Sequence, residues 1–314
     1  MSESELEPRA SPWHGGEIAM QQRLGVAERM ATHGRQVIRN FLPDQHRDFY
    51  QQLPFMLLAT VDDDGLPWAS ILCGAPGFAF SPDPYSLQVG SLPGAGDPAA
   101  ANLMPAAALG LLGIELHTRR RNRINGRVAS VSPGGFSVTV QQAFGNCPRY
   151  IQLRESAPLD RPSTSANIPP QRRRGLDAAA RIAIRAADTF FVASYVDVEG
   201  DVARRAVDVS HRGGQPGFVQ LDGECLSIPD FAGNRYFNTL GNLLVNPRAG
   251  LLFIDFDSGG LLQLSGRTEI VFDGPEVAAI EGAERLWRLH VDVLVRHPAA
   301  LAGRWRLRES SPVS

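Results

Sequence analysis

The 314-residue sequence predicts a mainly β fold: two β domains in tandem, flanked by helices and packed on each other as a pseudo-dimer. Three observations lead there. Short apolar runs separated by turn residues fill most of the chain, which is the texture of strands. The second half repeats the first in order and spacing. A stretch rich in Pro, Ser and Arg, Glu155 to Gly175, divides the halves as an exposed linker.

The elements follow in order. Met1 to Pro12 is acidic and polar and reads as disordered. Glu17 to Asn40 has a helical pattern with Ile18, Leu24, Val26, Met30, Val37 and Ile38 as buried positions, and a short helix spans Gln45 to Gln52. Strand-like runs then cover Phe55 to Val61, Trp68 to Cys73, Ser86 to Val89, Ala108 to Leu116, Arg123 to Ser132 and Phe136 to Gln142. Asp64-Gly65 and Pro133-Gly134-Gly135 supply turns. After the linker a helix from Asp177 to Asp188 leads into runs at Phe190 to Val196, Ala203 to Val209, Gly217 to Leu221, Cys225 to Ile228, Ala249 to Ile254 and Leu261 to Phe272. A helix over Pro275 to Arg296 closes the chain. The expected divisions are 1–53 for the N-terminal arm and helices, 54–152 and 186–272 for six-stranded domains, 153–185 for linker and helix, and 273–314 for the C-terminal helix and tail.

Laid over each other, the halves match at Phe55 to Asp62 with Phe191 to Asp197, at Pro76-Gly77-Phe78 with Pro216-Gly217-Phe218, and at Asn125-Gly126-Arg127 with Ser265-Gly266-Arg267. Collinear matches at nearly one spacing point to a fused dimer about a pseudo-two-fold axis.

Composition removes several function classes. The chain has no lysine, so all 31 basic residues are arginines, which excludes Schiff-base chemistry and Walker-type nucleotide binding. Arginine forks still grip phosphate. A net charge of −2 offers no general attraction to nucleic acid or an anionic membrane, so neither is an expected partner. Cys73, Cys147 and Cys225 form no CxxC pair, and the histidines show no metal spacing, so no metal site is expected. A cytoplasmic location is expected from the absence of a leader and of any long apolar run. Gly94 to Ala99 matches a dinucleotide fingerprint only on paper, since no βαβ unit surrounds it. Arg119-Arg-Arg-Asn-Arg123 reads as a solvated strand edge rather than a phosphate contact.

Three stretches carry a resemblance: Val207-Asp-Val-Ser-His-Arg-Gly-Gly-Gln-Pro-Gly-Phe218, the run from Ile228 to Pro247 ending in Val-Asn-Pro, and Leu251-Leu-Phe-Ile-Asp255. Residues 186 to 272 resemble the pyridoxamine 5′-phosphate oxidase-like family of flavin-mononucleotide-binding split β-barrels. Ala59 to Asp62, Gly65 to Ser70 and Phe144 to Tyr150 resemble it more loosely. The resemblance implies two tandem FMN-binding split β-barrels. It places cofactor contacts at Ser210, His211 and Arg212 on a strand end, at Asn234, Arg235, Asn238 and Asn242 around a following helix, and at Gln263 beside the flavin ring. Arg235 is the expected principal phosphate ligand, with a helix opening near Asn234 and Gly233 allowing close approach. The family's lysine is absent from this segment. Trp68, Ser70 and the segment Asn146 to Tyr150, including Arg149, would supply the other wall.

The implied function is a flavoprotein oxidoreductase with FMN as cofactor. Its partner would be a small-molecule substrate or electron acceptor, with NAD(P)H among the reductants, and further homodimerisation stays open. No catalytic side chain is singled out, because redox chemistry comes from the cofactor. The alternative is a non-catalytic flavin- or haem-binding barrel. A true pyridoxamine-phosphate oxidase fits the tandem form and the altered phosphate segment less well.

Overall fold

The computed structural model describes residues 11–157, 168–298, 300, 301 and 303–309. Three helices open the chain: α1 (Gly15–Arg23), α2 (Ala27–Val37) and α3 (Asp44–Gln51). The single helix expected over Glu17 to Asn40 is broken into α1 and α2, because Gly25 takes a left-handed φ of 64° after the C-cap at Leu24.

The first barrel comprises β1 (Phe55–Val61), β2 (Pro67–Cys73), β3 (Ala79–Phe80), β4 (Ser86–Val89), β5 (Ala108–Glu115), β6 (Arg120–Ser132) and β7 (Gly135–Gly145). Their order is β2-β1-β5-β6-β7-β4-β3. Two strands lie in the linker region, β8 (Leu153–Ala157) and β9 (Gln171–Arg174), and α4 (Ala178–Ala186) follows. The expected linker is therefore structured at both ends, and its middle, 158–167, lies outside the described residues.

The second barrel comprises β10 (Thr189–Asp197), β11 (Arg205–Gly213), β12 (Gln220–Asp222), β13 (Cys225–Phe231), helix α5 (Asn238–Val245), β14 (Arg248–Ile254), β15 (Leu261–Val271), the single turn α6 (Pro275–Ala278) and β16 (Ala283–His297). The order β11-β10-β14-β15-β16-β13-β12 repeats that of the first sheet position by position. Each sheet has seven strands on this path rather than the six expected. β9 adds to β16, and β17 (Arg304–Glu309) pairs with β8.

One expected element is wrong. Pro275 to Arg296 is a single helical turn followed by a long strand, so the second barrel runs past 272 to His297. Buried Leu289 and Val291 alternate there with outward Arg288, His290 and Asp292, a period of two. Arginine, leucine and alanine in this region suit a helix locally, and pairing with β15 and β13 on both sides overrides that preference.

The repeat extends to local detail. The register of β6 with β7 shifts between Asn125 and Gly126, and that of β15 with β16 shifts at the equivalent place, between Ser265 and Gly266. Each glycine is required, since a Cβ there would lie 2.3 Å from the Thr139 carbonyl oxygen or 2.0 Å from that of His290.

Burial explains why strands such as Phe55–Val61 read as continuous apolar runs. Met56 and Leu58 point into the first barrel, while Phe55, Leu57 and Ala59 join a second cluster with Phe191, Ala193, Val207, Val209 and Leu252 of the other barrel. Both faces are covered. The contact is reciprocal: Gly110 of β5 lies on the backbone of Val207 to Val209, and Gly250 of β14 lies on that of Pro67 and Trp68. This is the isologous packing of a dimer within one chain. The N-terminal arm crosses the second barrel, with Trp13 packed among Met30, Phe144 and Tyr236.

Candidate functional site

A cleft of about 920 Å³, counted with its open mouth, lies between the barrels. The first barrel contributes Arg121 and Arg123 from β6 and the segment after β7, including Asn146, Cys147, Arg149 and Tyr150. The second contributes Ser210, His211 and Arg212 from β11, Asp230 and Phe231 from β13, and the turn leading into α5.

At its floor the barrels are joined by buried polar bonds. Arg123 donates to Asp208 at 2.8 Å and to Ser210, and Asn125 also donates to Asp208 at 2.8 Å. Asn242 donates to the second Asp208 oxygen at 2.8 Å and to Ser194 at 3.0 Å. Thr239 hydrogen-bonds Ser210 at 3.1 Å. The arm reaches this layer too. His14 bonds Asn242 through Nε2 at 2.8 Å, and Asn238 donates to the buried Glu17.

Nearer the mouth the charges are less well matched. The Arg121 Nε and the Arg212 Nε are buried without acceptors, and both ring nitrogens of His211, which is 3% exposed, have no partner. Burial, followed by the nearby Arg212 and Arg123, pushes the Arg121 guanidinium down to about 9. Burial and Arg121, Arg212 and Arg154 hold His211 well below 6.5, so it is neutral at pH 7. Arg212 approaches Asp230 only at 3.9 Å, whereas Arg285 holds Asp230 at 3.0 Å. Arg212 has one bond, from a terminal nitrogen to the His211 carbonyl at 3.1 Å, and arginines crowded this closely are costly unless an anion joins them.

The cleft also has an aromatic edge. Tyr150 stands 5.6 Å from Phe231 at 31°, and its hydroxyl donates to the Ala232 carbonyl at 2.8 Å. Gly213 permits this closure, since a Cβ there would lie 2.1 Å from the Tyr150 carbonyl oxygen.

Of the residues singled out in the sequence, Ser210, His211, Arg212, Asn234, Arg235, Asn238, Asn146 and Arg149 line the cleft, and Asn242 lies in the buried layer behind it. Four expectations are corrected. Arg235 spends its fork on Glu284, one bond measuring 2.6 Å, so it is not a free phosphate ligand. The helix opens at Asn238 rather than near Asn234, because Arg235 and Phe237 take φ of 64° and 61°, and Asn234 instead accepts from the Tyr236 amide at 3.2 Å. Gln263 is fully buried away from the cleft, donating to the Ala69 carbonyl at 2.9 Å and to Asp97 at 3.0 Å. Trp68 is core, with its indole N–H on Asp62 at 2.8 Å, and Ser70 bonds Asp97.

Arg121 and Arg123 are the residues that sequence reasoning missed. From Arg120 to Arg123 the run lies on β6, which is flanked by β5 and β7 and is no edge. Alternation sends Arg121 and Arg123 to the cleft and Arg120 to the Gln45 carbonyl on the other side.

The model of the pyridoxamine 5′-phosphate oxidase family matches residues 42–174. No curated protein matches the chain. Similar solved structures include HupZ of Group A Streptococcus, 11% identical, covering 44% of this chain and 98% of its own, with a TM-score of 0.29. A putative pyridoxamine 5′-phosphate oxidase from Lactobacillus delbrueckii is 19% identical over 34% of this chain and 95% of its own, with a TM-score of 0.27. An FAD-binding protein from Mesorhizobium loti is 14% identical over 40% of this chain and 96% of its own, also at 0.27.

Proposed function

We propose that the chain is a pyridoxamine 5′-phosphate oxidase-like split-barrel protein, a reading supported by the family match over residues 42–174 and by the repeated strand order, and that the cleft between the barrels binds FMN for electron transfer with a small-molecule partner. One observation carries this reading: Arg121 and Arg212, one from each barrel, have buried nitrogens without acceptors beside an unpartnered His211. A phosphate dianion answers that arrangement, because guanidinium forks bind its oxygens bidentately and desolvation strengthens each bond. The residues present therefore fit the group.

In this reading Arg121 and Arg212 hold the phosphate, and neutral His211 donates one hydrogen bond to the ligand. Asn146 and Asn238 offer amides to a polyol chain, and the Tyr150 and Phe231 rings offer an apolar wall. The bound flavin supplies the redox chemistry, and the protein supplies position and partial exclusion of water. NADH and NADPH are the first reductants to test.

The experiment is to denature purified protein and weigh what is released, after recording its visible spectrum. FMN mass with flavin bands near roughly 370 and 450 nm is the expected result. Haem, with a Soret band, is the second reading, and the unpartnered His211 nitrogens favour it because a neutral imidazole is an iron ligand. A protein that neither retains nor takes up flavin refutes the proposal.

A further inference from the structure

A pseudo-two-fold axis calls for two clefts, and the strand registers say which residues correspond. Leu112 pairs with Arg123 as Leu252 pairs with Gln263, and Ile114 pairs with Arg121 as Ile254 pairs with Leu261. Leu58 pairs with Ser70 as Val192 pairs with Ser210. Arg123 and Arg121 therefore stand where Gln263 and Leu261 stand in the other half, and Ser210, His211 and Arg212 where Ser70, Ile71 and Leu72 stand.

The deep layers are alike in kind. Arg123 crosses from the first barrel to Asp208 and Ser210, while Gln263 crosses from the second barrel to the Ala69 carbonyl and Asp97, and Ser70 bonds that same Asp97. Each is a buried polar staple between barrels. The Gln263 staple is completed by His297, which bonds the Gln263 Oε1 at 2.9 Å.

The outer layers are opposite. Where the open cleft presents Arg121, His211 and Arg212, its counterpart presents Leu261, Ile71 and Leu72, all buried. Leu261 and Ile71 belong to one apolar cluster with Leu301 and Trp305 from the end of the chain. The Trp305 ring lies edge-on to Phe55 at 5.4 Å and to Phe256 at 5.9 Å. This terminal segment is pinned by the Leu301 amide on the Gly259 carbonyl at 2.9 Å and the Trp305 amide on that of Phe256 at 3.1 Å.

We infer that only one of the two pseudo-equivalent clefts takes a ligand, so that the fused pair binds a single flavin per chain while its counterpart has become an internal apolar lock. The inference rests on the flavin reading and deepens it by fixing how many ligands the site takes. Leu261 and Ile71 offer an anionic group no charge, and Trp305 would have to leave its pocket.

The test is native mass spectrometry of the full chain loaded with excess FMN, with isothermal titration alongside. One FMN per chain, with no second species as FMN is raised to ten times the dissociation constant, is the expected result. Two per chain overturns the inference and leaves the flavin reading intact. No binding at any concentration overturns the flavin reading itself. Gln263→Ala and Trp305→Ala supply the second arm: both should lower the melting temperature and leave FMN affinity within about threefold. A tenfold loss of affinity at unchanged melting temperature in either variant would mean that the locked side contacts the ligand.

Discussion

At the scale of single residues, Arg212 and Arg235 differ in whether their charge is already met. Both are basic and line the cleft, but Arg235 already has Glu284, whereas the Arg212 Nε has no acceptor. A charge-assisted hydrogen bond contributes about 1.5 to 3 kcal/mol, or roughly ten- to a hundred-fold in affinity. Arg212→Ala should weaken FMN by that factor and Arg235→Ala by clearly less, both measured by fluorescence quenching on apo-protein. Larger damage from Arg235→Ala would return the phosphate to the turn before α5. Strand positions such as Ser210 to Arg212 were legible in the sequence because a motif places them locally. The state of Arg235 was not, since its partner Glu284 comes from β16, far along the chain.

Glu17 offers a test by pH. Burial, followed by Asp208, pushes its carboxyl up to about 8 from an ordinary 4.5, against donors from His14 and Asn238. A group raised in the fold stabilises fully below its ordinary value, and that contribution is lost as pH rises through 4.5 towards 8. The Glu17→Gln variant should therefore lose less melting temperature than the parent between pH 6.5 and 8.5. Parallel profiles would mean that Glu17 is ionised throughout.

At the scale of elements, α5 is held from behind by α1. Their crossing depends on Gly16 and Gly241: a Cβ on Gly241 would lie 2.7 Å from the Glu17 amide nitrogen and 2.8 Å from its Cα. Those are backbone atoms that cannot turn aside, so Gly241→Ala should cost about 1 to 3 kcal/mol, read as a lower urea midpoint. An unchanged midpoint would show that the arm is loosely docked. Most strands were legible as apolar runs between turn residues. The failures have one physical source. β16 carries residues that suit a helix and becomes a strand because β15 and β13 flank it, and the arginine run on β6 looks like an edge only while its neighbours are unknown. Pairing over long sequence separations decides both, and no local window contains it.

At the scale of the whole molecule, the buried cluster shared by Phe55, Leu57 and Ala59 with Phe191, Val207 and Val209 makes the barrels one cooperative unit. Calorimetry should show a single unfolding transition, and two resolved transitions would contradict the shared core. The repeat that predicts this was legible from its collinear matches. Its asymmetry was not, because Arg121 and Leu261 acquire meaning only once the registers align them. In the proposed site, arginines from both barrels close on one phosphate. The most direct measurement is the affinity of Arg121→Ala apo-protein for FMN and for riboflavin, set against the parent. FMN should weaken by about ten- to a hundred-fold while riboflavin, which has no phosphate, changes little. Equal losses for both ligands, or no loss for either, would contradict it.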